Sequence, residues 1–350
     1  MFKSKSFKWL FVTLAAIAIV AAMLLGVHPH AIEHSDSIFM AFGGLLTQAQ
    51  IQALHTTLKT RFNAGLAAAP NNWKDIAKLI SSDGASNTYA WLSQFPAFRE
   101  WIGARLHKAL AETAYTVVNK KFENTIDVQR TSIEDDNFGH YGTIAESYGQ
   151  AVVDMQNDLC FQALKNGFTG LCYDGQFFFD ANHPIHPNED GTGIAVMASN
   201  VQLPAVAPAT PNEPWVLLCT ERAAAPLYLQ ERIKPQFDAL TNANNTNVFE
   251  QDVYSFGGRW RGAAAYGFWQ CAFGSKDVLN TVNFEAAYKA MMKTKGDGNR
   301  LLGITPDLLV VGPDNQSAAE ALLKAQQNAN GASNINYNKV KLVVTPWMAL

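Results

Sequence analysis

Charge is scarce in this chain, and so are the short motifs that announce common chemistry. Only 16% of its 350 residues are Asp, Glu, Lys or Arg, against about 25% in a typical soluble domain. The net charge is −3, which argues against a basic surface built to wrap nucleic acid. The four cysteines, Cys160, Cys172, Cys219 and Cys271, never form a C-x-x-C pair. No zinc-finger pattern is present, and in a reducing compartment all four are expected as mostly buried thiols. No G-x-x-x-x-G-K-[ST], H-E-x-x-H or G-x-S-x-G occurs, so the usual phosphate loop, metalloprotease helix and hydrolase elbow are missing. Asp190-Gly-Thr-Gly193 and Gly296-Asp-Gly298 sit between no strand and helix, and read as turns. Internal repeats and low-complexity tracts are absent too.

What the chain has in plenty is aromatic surface: 21 Phe, 10 Tyr and 8 Trp. Such content suits a large core or extensive contacts between subunits. Its longest apolar run is Trp9–Val27, led in by Lys3, Lys5 and Lys8, a pattern expected of a transmembrane or signal-anchor segment. Met40 then opens MAFGGLLTQAQIQ just before the first helical pattern, and translation is expected to begin there. No comparable apolar run follows, so no membrane segment is expected in residues 40–350.

Thr47 to Gly65 has helical spacing, with Thr47 and Gln50 as a capping box and Ile51, Leu54, Leu58 and Phe62 on one face. Asn87 to Gly103 mixes aromatics with Pro96 and predicts extended or irregular chain. Tyr115 to Arg130 predicts a strand in which Ile126 and Val128 alternate with polar residues. The strongest helix runs from Ile144 to Asn166, with Ile144, Tyr148, Val152, Met155, Leu159 and Ala163 as its apolar stripe and Gly167 beyond its end. Further strands are expected at Trp215–Thr220, within Val248–Ala272, at Leu308–Val311 and at Val340–Val344. Ser317 and Glu320 form a second capping box for a helix reaching about Asn328. The fold class is α+β.

Three clusters carry possible chemistry. In CYDGQFFFDANHP, Cys172–Pro184, Asp180, His183 and the following His186 are spaced three apart like metal ligands. Pro184 and Pro187 forbid the helix that would align them, so neither a metal nor a catalytic role is expected. Ile133-Glu-Asp-Asp136 reads as a solvated acidic patch near a helix start. Lys120-Lys121, with Glu123 close by, reads as an edge strand kept soluble by lysines or as an intersubunit salt bridge.

Several segments in order resemble the major head subunit of Mu-like bacteriophages, capsid proteins of the HK97-type fold. They are SNTYAWLSQFPAFREWIG (86–103), YTVVNKKFENTIDVQRTSIEDDNFGHY (115–141), NGFTGLCYDGQFFFDANHP (166–184), HPNEDGTG (186–193), VFEQDVYSFGGRWRGAAAYGFWQ (248–270) and GDGNRLLGITPDLLVV (296–311). The resemblance spans about residues 44–346 and leaves 1–39 without a counterpart. It implies an N-terminal arm with a helix (40–86), then an E-loop hairpin and a peripheral domain (87–166) whose spine helix is 144–166. The E-loop itself falls within about Leu92 to Lys120. A mainly axial domain (167–325) and a return to the peripheral domain (326–350) follow.

Such a subunit is not an enzyme and needs no cofactor. The implied protein is a structural virion component assembled in the host bacterial cytoplasm. It forms pentamers and hexamers of itself and works with scaffold and portal proteins. The icosahedral shell encloses double-stranded DNA without sequence-specific binding. The expected intersubunit contacts, at the E-loop and its flank, are Phe95, Phe98, Arg99, Trp101, Lys120, Lys121 and Glu123. The competing reading is a membrane-anchored extracytoplasmic metal-dependent enzyme using Asp180, His183 and His186.

Overall fold

A computed structural model of the chain describes residues 48–89, 115–134, 138–206, 208, 210–242, 246–328 and 330–350. The N-terminal apolar run, Met40, Thr47, Phe95, Phe98, Arg99, Trp101 and part of the acidic patch lie outside them. The helices are α1 (Gln48–Ala68), α2 (Arg130–Glu134), α3 (Phe138–Lys165), α4 (Thr246–Gln251), α5 (Thr281–Met292) and α6 (Gln316–Leu323). The first strands are β1 (Ala77–Ser81), β2 (Ser86–Thr88), β3 (Thr116–Val118), β4 (Lys120–Gln129), β5 (His183–Ile185), β6 (Val196–Ala198), β7 (Val201–Gln202) and β8 (Trp215–Leu218). Then come β9 (Leu227–Leu240), β10 (Val253–Tyr266), β11 (Ala272–Ser275), β12 (Lys295–Gly296), β13 (Arg300–Leu301), β14 (Leu308–Val311) and β15 (Lys341–Val344).

A four-stranded sheet of order β1-β9-β10-β4 supports α1 and α3. Alternation does the sorting: Ile126 and Val128 on β4, and Tyr254, Phe256, Gly258 and Trp260 on β10, are buried, while the residues that alternate with them are more exposed. Phe62 of α1 stacks on Phe237 of β9 with ring centroids 5.1 Å apart. The two helices meet at glycines. A side chain at Gly149 would overlap the Phe62 carbonyl, and one at Gly65 the Glu146 carbonyl, so only hydrogen fits at either position.

α3 buries a different stripe from the expected one. Ala145, Gly149, Val153, Gln156, Asn157, Cys160, Phe161 and Leu164 face inward, whereas Ile144 is 37% exposed and Tyr148 and Val152 are half-buried. Met155, Leu159 and Ala163 still pack against the core from its margin. The line is turned by one residue because the crossing with α1 demands small side chains. Asn157, further along, is wanted for its amide: its oxygen accepts from Trp73 N–H at 2.9 Å and its amino group donates to Pro70 O at 3.0 Å.

A five-stranded mixed sheet, β15-β14-β8-β11-β7, forms the second layer system. Its central strands are covered on both faces. Trp215, Leu217, Leu309 and Val311 point to the side of α5 and α6; Val216, Leu218, Leu308 and Val310 point to Phe161, Phe178 and Phe179. Continuous apolar runs such as WVLL and LLVV are what two-sided burial requires. Gly312-Pro313 follows β14.

β9 and β10, both within 167–325, pair with β1 and β4 beneath the long helix, joining segments that lie far apart in sequence. β15 pairs in parallel with β14, and the chain end reaches α3 through the turn at Pro346–Met348, where Met348 is buried, and through Ala349, whose carbonyl accepts from Lys165. The expectation at the second capping box needs correction. α6 starts at Gln316 and stops at Leu323, and Ser317 does not cap it. Glu213, from a distant loop, accepts the Asn315 N–H at 3.0 Å instead. Phe177 is 41% exposed while Phe178 and Phe179 are buried. His183-Pro184 opens strand β5.

Candidate assembly interface

Lys120, Lys121 and Glu123 lie on β4, an edge of the four-stranded sheet, and all three are exposed. In the ladder with β10, Lys121 stands opposite Arg261 and Glu123 opposite Arg259. The outer face thus carries a mixed charged row, while the inner face carries Phe122 against Trp260 at 5.5 Å. An edge guarded by lysines resists indiscriminate strand pairing. The other expected contacts, Phe95, Phe98, Arg99 and Trp101, fall in the undescribed segment 90–114.

The foot of that segment is well defined. β2 and β3 pair antiparallel, Ser86 with Val118 and Thr88 with Thr116, so the chain leaves and re-enters 90–114 side by side. A buried polar network locks this foot to β9. Tyr89 donates to Gln230 Oε1; Gln230 donates to Asn119 Oδ1 at 2.6 Å; Asn119 donates to Ser82 Oγ at 2.7 Å; Ser82 donates to Asn87 Oδ1 at 2.8 Å. Burial pushes the Tyr89 hydroxyl up to about 12, so it remains a donor at physiological pH. Nothing local in the sequence marks this network, because Asn119 and Gln230 are far apart along the chain.

The stretch Cys172–Pro184 brings together a different set from the expected one. Asp180 turns onto the Asn182 N–H at 2.9 Å, and His186 Nδ1 meets the Gly193 carbonyl at 3.1 Å. Three residues apart on extended chain point to opposite sides, so Asp180, His183 and His186 do not converge. His183 instead is fully buried, with Nδ1 2.6 Å from Asp174 Oδ2 and Nε2 3.1 Å from Asn200 Oδ1. Its ring stacks on Trp269 at 4.0 Å and 7°. Cys172 Sγ donates to Asp174 Oδ1 at 3.0 Å, and the Gln176 N–H adds a third bond at 3.0 Å. Gly175, at φ 80°, makes the tight turn that brings these groups together. Burial raises the Asp174 carboxyl, but the bonds from His183, Cys172 and Gln176 outweigh it, and the group is held below its ordinary value. Burial, with Asp174 close by, pushes the Cys172 thiol well up. Such a thiol is no nucleophile.

The helix-backed sheet, the glycine-tight helix pair and the second mixed sheet form the α+β fold of HK97-type phage capsid proteins. The profile of the family described as Mu-like prophage major head subunit gpT matches residues 51–348. The chain belongs to that family. It is 39% identical over 307 residues to the major capsid protein of Escherichia phage Mu, covering 87% of this chain and all of that protein. Against the Mu-like prophage FluMu major head subunit of Haemophilus influenzae it is 40% identical over 284 residues, covering 81% and 92%. The chain in the procapsid of bacteriophage JBD30 superposes with a TM-score of 0.77 and 46% identity, covering 86% of this chain and 100% of that one. The protein is therefore a structural head subunit of a phage virion that assembles into a shell, not an enzyme. No helix among the described residues is long and apolar enough to cross a membrane.

Proposed function

We propose that the chain forms pentamers and hexamers that close into an icosahedral shell around double-stranded DNA, built in the host bacterial cytoplasm with scaffold and portal proteins. The E-loop, within about Leu92 to Lys120, overlaps a neighbouring subunit through Phe95, Phe98, Arg99 and Trp101, with Lys120, Lys121 and Glu123 at its flank. The observation that carries this reading is the apolar surface an isolated subunit leaves uncovered. Leu79 is 52% exposed, Ile194 92%, Val196 68% and Val206 82%. Three of these four fall within 194–206, and a subunit tiled on all sides covers such side chains with copies of itself. The modest net charge fits a DNA container that reads no sequence. Electron microscopy of expressed residues 40–350 tests the proposal. Capsomer rings or closed shells are expected, whereas a folded, persistently monomeric product would overturn it.

A further inference from the structure

We propose that Cys172, Asp174 and His183 form a zinc-binding site that staples the turn after α3 to the β5–β6 hairpin. Among the described residues this is the one set of three potential metal-binding groups whose ligand atoms all lie within 4.8 Å of one another.

The argument starts at Asn200. Its amino group donates to three main-chain carbonyls, Phe178 at 2.8 Å, Trp269 at 3.3 Å and Ala272 at 3.3 Å. That fixes which way the amide points, so its oxygen accepts both the Asp180 N–H at 2.9 Å and His183 Nε2. Nε2 therefore carries a hydrogen. In a neutral ring, Nδ1 then aims its lone pair at Asp174 Oδ2, 2.6 Å away. Two electron-rich atoms in that contact need a cation at Nδ1. One proton there and one on Cys172 Sγ fulfil the need, giving a neutral sum of thiol, carboxylate and imidazolium. A divalent ion replacing those two protons gives thiolate, carboxylate and neutral imidazole around a double positive charge, again neutral. A buried site tolerates that exchange because no net charge is left in the interior.

The surroundings are those of a metal centre. Ligating histidines usually donate their second ring N–H to an oxygen that fixes tautomer and orientation, which Asn200 does here while Trp269 holds the ring plane. A mixed sulfur, nitrogen and oxygen set favours zinc over the hard cations. Bond lengths of about 2.0–2.3 Å place tetrahedral ligands roughly 3.3–3.7 Å apart, so the His183–Asp174 contact of 2.6 Å and the Cys172–Asp174 contact of 3.0 Å open slightly, while all three ligand atoms already lie within 4.8 Å of one another. A water completes the four-coordinate set on the side of Asp174, whose side chain is 10% exposed. No helical ligand spacing marks this site, which is why sequence inspection favours the wrong carboxylate.

Titrating reduced, assembled full-length protein with Co²⁺, and separately with Zn²⁺, tests the proposal. One Co²⁺ per chain, with a near-ultraviolet thiolate-to-cobalt band and visible bands of four-coordinate cobalt, is the expected result. Cys172→Ser keeps the hydrogen bond to Asp174 and should still assemble. It should lose the near-ultraviolet band and bind Zn²⁺ at least tenfold more weakly. Wild-type particles that show no cobalt–thiolate band, or Cys172→Ser particles that retain Zn²⁺ as well as wild type, would overturn the site.

Discussion

Glu213 illustrates a single residue set against its surroundings. It is 4% exposed, and burial lifts its carboxyl above the ordinary value of 4.5 more strongly than the N–H groups of Asn315 and Asp314 lower it. A raised carboxylate pKa means the fold prefers the protonated form. The group's contribution is fully present below pH 4.5 and is lost as pH rises through the raised value. Glu213→Gln keeps an acceptor for Asn315 but cannot ionise. Melting temperatures of wild type and variant at about pH 4.5 and pH 7 should differ in slope, with the wild type losing more on going to neutral pH. Parallel slopes would show that the carboxyl ionises freely in the fold. None of this was legible beforehand, because Ser317 and Glu320 have the spacing of a capping box while the actual cap comes from a residue about a hundred positions upstream. Other residues were legible for a local reason: Ile51, Leu54, Leu58 and Phe62 bury as their spacing predicts.

At the level of elements, the α1–α3 crossing depends on what is missing from two side chains. Gly149→Ala places a methyl group against the backbone of Phe62 and Leu66, and backbone cannot rotate away. The helices must separate, costing about 1–3 kcal/mol. Ser147→Ala, on the exposed side, should stay within about 0.5 kcal/mol. Thermal denaturation of both variants compares the two, and an undisturbed Gly149→Ala would mean the helices pack less tightly than described. The same crossing explains the turned stripe of α3. Periodicity scored by side-chain size selects Ile144 and Tyr148, but the buried line is chosen by closeness at Ala145 and Gly149 and by hydrogen bonding at Asn157. Strand β9 escaped notice for a related reason. Pro235 and four nearby charges argue against a strand, yet Pro235 sits where the register with β10 shifts and β1 no longer pairs, so no ladder hydrogen bond is forfeited. α5 could have been found: Asn280 caps it by accepting from Asn283 N–H, and Phe284, Ala287 and Met291 keep helical spacing.

For the whole molecule, folding and assembly are separable. Lys120 and Lys121 are exposed on an edge strand, so Lys120→Glu with Lys121→Glu should change the subunit's own stability by no more than about 1 kcal/mol. If the charged flank meets a neighbour, the double variant should melt like wild type yet sediment as subunits or small rings. Wild-type shell yield with both charges reversed would remove these lysines from the interface. The order of segments along the chain made the shell architecture readable, since fold recognition needs only local patterns kept in sequence. The contacts that close one subunit onto another leave no such pattern, because each half of the pattern lies on a different copy.

The parallel pairing of β1 with β9 has a further consequence, in time rather than space. Ala77 must wait for Leu227, its ladder partner 150 positions later. At synthesis rates of about 5–20 residues per second, that wait lasts roughly 8–30 s. For that interval α1 and β1, joined later in it by α3, are translated but have no complete sheet to close on. The yield of folded subunits then depends partly on how well nascent apolar surface is shielded during translation.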